Sequence, residues 1–178
     1  MGKIINNDVL CGKYVNLRQA EEKDAEFTLK LRLDERFSGF FVTKVNNNID
    51  VQKNFINKCL NSEEEYFFIV EDKQGNPLGT TSIYNVSKHE FTSGRWIMLP
   101  SASFQQVVEG EFLMKNYAFN ILQKDIMHLD VIKENAKVLF FHKQWGAKET
   151  HRDDKEVFLT LSKYDFTANI NKMKRYFQ

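Results

Sequence analysis

Cysteine, proline and long apolar runs are scarce in this chain of 178 residues, which has two cysteines, two prolines and a net charge of +1. Cys11 and Cys59 stand in no metal-ligand spacing, so the sequence predicts reduced thiols rather than disulfides or a metal site. No stretch approaches the roughly 20 apolar residues that cross a bilayer, and the chain opens without an apolar leader. We therefore expect a cytoplasmic protein without a membrane span.

The charge balance narrows the class of partner. A chain with almost no net charge has no uniform field to attract nucleic acid or an acidic membrane, so neither is an expected partner. Hydrophobic residues make up 42% of the chain and include sixteen phenylalanines, enough for a core and for an apolar groove. The length predicts one domain over residues 1–178, either monomeric or as a homodimer.

The periodic segments follow the order β-α-α-β-β-β-α-β-α-β-β, which predicts a mixed α/β chain. A continuous apolar run at 66–71 and a run at 95–99 are typical of buried strands. Residues 156–162 alternate between apolar and polar, as a half-buried strand does. These features indicate a sheet with helices between its strands.

Helix boundaries and loops complete this prediction. Asn48 or Asp50 can cap a helix, because both carry a side-chain oxygen for the first free N–H groups. Residues 101–110 are expected to form a loop before a helix that reaches about Gln123. Residues 164–178 have little pattern and are expected to form a tail.

Two successive strand-loop-helix units, at 99–122 and 128–147, are the most informative part of the chain. The first contains Gln105-Gln106-Val107-Val108-Glu109-Gly110, and the second has Asn135, His142 and Gly146 in fixed spacing. These units resemble the core of the GNAT family, the acetyl-CoA-dependent N-acetyltransferases. The resemblance implies an α/β (α+β) fold with a mixed, mostly antiparallel twisted sheet of six to seven strands. About four helices would flank this sheet, which would splay apart between its fourth and fifth strands.

The resemblance also implies a site for acetyl-CoA. In the family, a loop of pattern Arg/Gln-x-x-Gly-x-Gly/Ala binds the pyrophosphate through backbone N–H groups at a helix N-terminus. Here Val108 stands at the position of the first glycine, and Glu109 would lie close to the phosphates. A backbone N–H at the end of strand 95–99 would polarise the thioester. The implied cofactor residues are Met98, Leu99, Gln105, Gln106, Val107, Val108, Glu109, Gly110, Asn135 and Lys137.

Three residues are candidates for proton transfer. His142 stands where family members often have a tyrosine that protonates the departing CoA thiolate. An imidazole with a pKa near ~6.5 can do the same at neutral pH, although a packed histidine is an equal alternative. His89 and Glu90 lie on the turn before strand 95–99 and are candidates for the base, against the alternative of a solvated turn.

Two branches of the family are similar to different parts of the chain. Residues 12–18 and 22–25 resemble the opening of the ribosomal-protein alanine acetyltransferases. Residues 66–70 and 78–83 resemble the sugar-nucleotide amino-acetyltransferases of surface-glycan pathways. The acceptor is therefore expected to be a primary amine. The residues on the acceptor side of the site decide which of the two branches the chain resembles more in function.

Arginines and aromatic residues favour the second branch. Arg32, Arg36 and Lys44 lie on the segment that forms the acceptor side in the family, where cations would meet a diphosphate. The candidate walls of the acceptor pocket, for which core packing is the alternative, are Phe40, Phe41, Tyr84 and Trp96. The prediction is acetyl transfer to a nucleotide-linked amino sugar in surface-glycan biosynthesis. The alternatives are an N-terminal protein acetyltransferase and a non-catalytic acyl-CoA-binding relative.

Overall fold

The computed structural model describes residues 9–39 and 45–178. Its strands are β1 (Leu10–Cys11), β2 (Val15–Gln19), β3 (Tyr66–Asp72), β4 (Pro77–Tyr84), β5 (Glu90–Met98), β6 (Ile126–Ile132), β7 (Lys148–Arg152) and β8 (Glu156–Ser162). Its α-helices are α1 (Ala25–Leu33), α2 (Glu35–Ser38), α3 (Ile49–Asn61), α4 (Phe104–Asn116), α5 (Ala136–Gln144) and α6 (Lys163–Lys174). A short 3₁₀ turn precedes α1, and a π-helical turn at Tyr117–Ile121 continues α4.

All eight strands form one sheet in the order β1-β2-β3-β4-β5-β6-β8-β7. Neighbouring strands are antiparallel except β5 and β6, which are parallel. This one parallel pairing is short: it ends at Thr92 and His128, and β5 continues without a partner on that side. The predicted mixed sheet and its splay are confirmed, with β5 and β6 as the expected fourth and fifth strands because the two-residue β1 precedes the others. The expected numbers are too low: the described residues form eight strands instead of six to seven, and six α-helices instead of about four.

The sheet is buried between two layers of helices. On one face, Phe67 and Ile69 of β3 pack with Ile56 of α3 in a small core. On the other face, Phe68 and neighbouring residues pack with Trp145 and the helices α4, α5 and α6 in a larger core. Residues from both faces of β3 are buried, which explains the continuous apolar run in its sequence.

A bulge in β5 sets the direction of the side chains at the site. Thr80 pairs with Ile97 and Ser82 with Gly94, so two steps on β4 face three on β5. Arg95 lies in this bulge with φ of 53°, in the left-handed region that side chains rarely adopt. The Thr80 hydroxyl donates a hydrogen bond of 2.8 Å to the Arg95 carbonyl and so stabilises the bulge.

Two predicted boundaries are wrong, and the structure decides between the two candidate caps of α3. Helix α4 begins at Phe104, so most of the expected loop at 101–110 is helical. The expected tail contains α6, whose N-cap Ser162 accepts a hydrogen bond from the Asp165 N–H. Asn48 is the cap of α3, since its side chain accepts hydrogen bonds from the backbone of Asp50 and Val51.

Candidate active site

A cleft of about 790 Å³ opens where β5 and β6 diverge. Its walls come from the ends of these two strands, from α5, and from α1 and α3 on the other side. Unpaired strand backbone therefore faces the cleft, which gives a ligand N–H and C=O groups to bind. Phe40, Phe41 and Lys44, expected on the acceptor side, lie outside the described residues.

The backbone at the end of β5 distinguishes the two candidate N–H donors. The Leu99 N–H donates a hydrogen bond of 2.7 Å to the Leu78 carbonyl and is not available to a ligand. Met98 faces Gly79 across β4 and β5. Because hydrogen-bonded and non-hydrogen-bonded pairs alternate along an antiparallel ladder, the Met98 N–H points away from β4 and toward the gap.

The expected phosphate loop at Gln105–Gly110 forms the first turns of α4. Val107 lines the cleft, whereas Val108 is fully buried in the core. Gly110 is buried against β3, where an added β-carbon would lie 3.4 Å from a Val70 methyl group. Gln105 is exposed, and Gln106 forms a reciprocal capping box with Ser103. The segment is therefore helical rather than a loop, and its part in holding acetyl-CoA stays a prediction.

Glu109 is buried and faces away from the cleft. Its carboxylate accepts hydrogen bonds from the backbone N–H groups of Lys13, Tyr14 and Val15 at 2.7, 2.6 and 2.9 Å. The expectation that this carboxylate approaches the phosphates is wrong, because it is fully engaged in holding the turn before β2.

The N-terminus of α5 lies at the cleft. The Asn135 side chain accepts a hydrogen bond of 3.4 Å from the Val138 N–H and caps the helix. Both Asn135 and Lys137 line the cleft, with Lys137 exposed to solvent. Both residues therefore stay candidates for holding acetyl-CoA.

His142 also lines the cleft, but its ring is 4% exposed. Burial, and then the positive charge of Lys115, lowers the pKa of His142 well below its usual value of 6.5. The side chain is therefore a neutral imidazole at pH 7, which does not match the expected imidazolium acid.

His89 and Glu90 lie at the other end of β5, away from the cleft. His89 Nδ1 is 2.7 Å from a carboxylate oxygen of Asp125, and Glu90 is 3.1 Å from Nε2 of His128. All four side chains are at least partly exposed. The structure does not bring these two candidates to the site, and they form surface pairs at the start of the β5–β6 ladder.

The two described aromatic candidates both line the cleft. The Trp96 ring stacks on Phe141 at 4.9 Å between centroids and meets the His142 ring edge-on at 5.5 Å. Tyr84 lies beside Arg95, whose guanidinium carbon is 4.4 Å from the centre of the Tyr84 ring. Trp96 thus forms the wall at α5, and Tyr84 the wall toward the acceptor side.

A rigid cation on β5 was missed by the sequence reasoning. The Arg95 guanidinium lies between the rings of Tyr84 and Phe55, 4.4 and 4.9 Å from their centres, and binds Glu65 at 3.0 Å. Neighbouring Arg32 lines the same cleft. Burial, and then the charge of Arg95, lowers the pKa of Arg32 below its usual range, as expected for two guanidinium groups that repel each other.

A pair of carboxyl groups in the cleft was also missed. Asp130 of β6 and Glu156 of β8 both line it. Burial, and then a hydrogen bond and repulsion from Asp130, raises the pKa of Glu156. A carboxylate whose pKa is raised in this way is a better acceptor for a proton from an amine. The sequence signal was weak: each is a polar residue on an alternating strand.

Comparisons with known proteins agree with this geometry. No family model matches the chain. It is 27% identical over 154 residues to the acetyltransferase PseH of Campylobacter jejuni, covering 85% of this chain and 93% of that protein. It is 23% identical over 166 residues to a spermidine N(1)-acetyltransferase of Vibrio cholerae, covering 84% and 95%.

Two solved structures have the same fold. FdhC, a nucleotide-linked sugar GNAT solved without ligand, has a TM-score of 0.83 at 28% identity, over 97% of this chain and 99% of that one. The Vibrio cholerae spermidine N-acetyltransferase in complex with CoA and spermine has a TM-score of 0.78 at 18% identity, over 88% and 99%. The likenesses to PseH and FdhC confirm the predicted resemblance to GNAT acetyltransferases, and the likeness to the spermidine enzyme, at 18% identity, supports the fold. The resemblance to the ribosomal-protein branch is not confirmed.

No α-helix within residues 9–39 and 45–178 is long and apolar enough to cross a membrane.

Proposed function

We propose that this GNAT N-acetyltransferase transfers the acetyl group of acetyl-CoA to the amine of a nucleotide-linked amino sugar. The observation that carries the proposal is Arg32, a half-buried cation in the cleft that pairs with no carboxylate among the described residues. A buried charge without a partner is costly, so it marks the place of an anionic ligand. The diphosphate of a nucleotide sugar supplies that anion.

The charges of the cleft favour an anionic acceptor over a polyamine. Within the described part of the chain, the cationic groups that line it are Arg32, Arg36, Arg95 and Lys137, against the two carboxyl groups Asp130 and Glu156. Arg36 and Arg95 already bind Asp34 and Glu65, which leaves Arg32 for the ligand. Spermidine, a polycation, would meet repulsion on this side, whereas a diphosphate would be attracted.

The donor fits the gap between the diverging strands. In this arrangement the acyl arm of acetyl-CoA lies between β5 and β6, and the Met98 N–H faces the thioester oxygen. Asn135 and Lys137, at the N-terminus of α5, would flank the CoA chain on the way out of the cleft. Acyl transfer then needs only that the acceptor amine enters from the side of Arg32.

The carboxyl pair supplies the proton acceptor. An amine must lose its proton to attack the thioester, and Asp130 with Glu156 presents two neighbouring carboxyl groups in the same cleft, where burial and then Asp130 raise the pKa of Glu156. Burial, and then the charge of Asp130, raises the pKa of Tyr84, whereas the charge of Arg95 lowers it, so Tyr84 is influenced by both ends of the site. The diphosphate would bind near Arg32 and Arg95, and the amine near Asp130 and Glu156.

Release of CoA thiol from acetyl-CoA, followed with a thiol reagent, tests the acceptor. The acceptors compared are UDP- and dTDP-linked amino sugars, the same free amino sugars, spermidine and a short peptide with a free N-terminus. We expect kcat/KM for a nucleotide-linked sugar to exceed that for spermidine by at least about 100-fold, since a diphosphate–arginine contact and a repelled polycation differ by several kcal/mol. Preference for spermidine or the peptide would overturn the proposal.

A pair of variants on α1 tests whether Arg32 binds the diphosphate. Arg32→Gln should raise KM for the nucleotide-linked sugar by roughly 10-fold and leave the free amino sugar nearly unaffected. Lys30→Gln is the matched control, because Lys30 is exposed on the same helix and does not line this cleft. Equal losses with both acceptors would mean that Arg32 supports the fold rather than a diphosphate.

A further inference from the structure

A charged pair lies fully buried behind the cleft. Glu111 and Lys115, one turn apart on α4, form an ion pair with side chains that are 1% and 0% exposed. The Thr81 hydroxyl of β4 donates a hydrogen bond of 3.1 Å to Glu111, and the Lys115 ammonium lies 5.4 Å from the centre of the Trp145 ring. A buried pair of this kind is costly to desolvate and adds little net stability, so its presence calls for another reason.

His142 lies next to this pair. Its Nδ1 is fully covered and has no hydrogen-bond partner within residues 9–39 and 45–178, while the residue itself lines the cleft. The edge of the ring that meets the cleft is therefore the one that carries Nε2. A proton on Nδ1 would be a buried N–H without an acceptor, beside the cation of Lys115. A lone pair on Nδ1 is favoured there instead, since it is attracted to that cation.

We propose that the Glu111–Lys115 pair is a positioning device that holds His142 as a neutral imidazole with its proton on Nε2. The ring then presents an N–H donor to the cleft from pH 6 to 9. Glu111 is needed because it keeps Lys115 charged inside the core, against the desolvation that lowers the pKa of Lys115.

The charged groups around His142 lie on several elements. From α4, the charge of Lys115, which is paired with Glu111, acts on the ring, and from β5 the uncharged Trp96 ring meets it edge-on. The remaining charged groups are on its own helix or elsewhere along the cleft: Lys137, Lys143, Arg32, Arg95, Asp130 and Glu156. Among the described residues, only Lys115 adds a charge effect to the burial that lowers the pKa of His142.

The catalytic consequence rests on the proposed function. As the amine nitrogen bonds to the acetyl carbon, the carbon–sulfur bond breaks and its electron pair goes to sulfur. A thiol of ordinary pKa, about 8.5, leaves as a thiolate that needs a hydrogen bond more than a proton. The Nε2–H of His142 supplies that hydrogen bond, and the proton of the amine goes to the Asp130–Glu156 pair.

The test is a titration of the whole protein, labelled with ¹⁵N-histidine, by two-bond ¹H–¹⁵N correlation NMR between pH 5 and 9. The signal of His142 is assigned with His142→Gln, and the exposed His151 serves as an internal reference. We expect the pattern of a neutral, Nε2-protonated ring from pH 6 to 9. If the wild-type spectrum shows an imidazolium ring at pH 7, or a ring protonated mainly on Nδ1, the proposal is overturned without any variant.

The double variant Glu111→Gln/Lys115→Met tests the pair itself. It removes both charges and keeps an oxygen for Thr81, so no buried charge is left alone. We expect the pKa of His142 to rise by roughly one unit, because one nearby positive charge has been removed. Lys143→Met, on the exposed side of α5, is the control and should leave the signal unchanged. An unaltered His142 pKa in the double variant would overturn the assignment, and neither NMR result depends on which acceptor is used.

Discussion

The carboxylate of Glu109 lies against Gly12 so closely that a β-carbon at Gly12 would be 2.5 Å from Glu109 Cδ and 2.6 Å from Oε2. Glycine is needed here for space. The contact connects α4 to the turn before β2. Lys13 and Glu109, which are joined by one of these hydrogen bonds, are 96 residues apart in the chain. The fold thus uses a buried charge on α4 to bind the backbone of its first long strand.

Replacement of this carboxylate should weaken the fold. Glu109→Gln keeps one acceptor oxygen but turns an NH₂ group toward backbone N–H donors, so we expect a loss of about 2 kcal/mol in the free energy of unfolding. Urea denaturation measures this loss. Glu26→Gln, on an exposed position of α1, is the control and should change stability by less than about 0.5 kcal/mol. Equal values for the two variants would contradict the structural role.

The role of Glu109 explains why one prediction from the sequence was wrong. The sequence pattern that ends at Gly110 predicts a phosphate-binding loop before a helix. A carboxylate within such a loop, such as that of Glu109, is then expected to lie close to the ligand. Chain order alone does not reveal that residues 13–15 come to the same place, because a contact between distant segments depends on the sheet order. The packing of Gly110 on β3 accounts for the glycine without any loop.

Ser103 should stabilise the N-terminus of α4 as its cap. Its hydroxyl accepts a hydrogen bond from the Gln106 N–H, and the Gln106 side chain accepts one from the Ser103 N–H at 2.8 Å. Ser103→Ala is expected to lower the free energy of unfolding by about 1 kcal/mol in thermal or urea denaturation. Ser101→Ala, two residues earlier and exposed, provides the comparison. If both substitutions cost the same, the capping box does not stabilise the helix.

Gly146 should tolerate no side chain. It follows α5 with φ of +99°, and an added β-carbon would lie 2.7 Å from Nδ2 of Asn169 and 3.2 Å from Asp165. Gly146→Ala is expected to cost about 2 kcal/mol, from the left-handed backbone and the contact with α6. Gly39→Ala is the matched control, since its φ is −70° and no atom of residues 9–39 and 45–178 lies within 4 Å of the added carbon. A similar stability for both variants in a thermal melt would contradict this reading of the turn.

The sequence predicted the fold better than the site, for a physical reason. Apolar periodicity, Asn48 and Gly146 act locally, so the strands, the helix cap and the helix end could be read from neighbouring residues. The cleft instead depends on where β5 and β6 separate and on the bulge at Arg95. Neither feature has a local signal, so Arg95 and the Asp130–Glu156 pair became visible only once distant strands were brought together.

The last prediction concerns Glu156 and separates catalysis from stability. Glu156→Gln should lower kcat by roughly 100-fold with the preferred acceptor, because it removes half of the proton-accepting pair. At neutral pH the same substitution should raise the free energy of unfolding, although it lowers activity. The pKa of Glu156 is raised in the folded protein, so its favourable contribution is present below the unfolded pKa and is lost as the pH rises through the folded value. At pH 7.5 the charged Glu156 therefore disfavours folding, and glutamine relieves this.

The measurement is urea denaturation of the wild type and Glu156→Gln at pH 4 and pH 7.5, beside kcat at pH 7.5. We expect the variant to gain stability relative to the wild type between the two pH values, while its activity falls. Glu134→Gln, an exposed substitution at the start of α5, should change neither quantity. A variant that loses stability and activity together would indicate that Glu156 supports the fold. A variant that keeps its activity would assign the proton transfer to another group, because a base that accepts the amine proton cannot be removed without slowing the reaction.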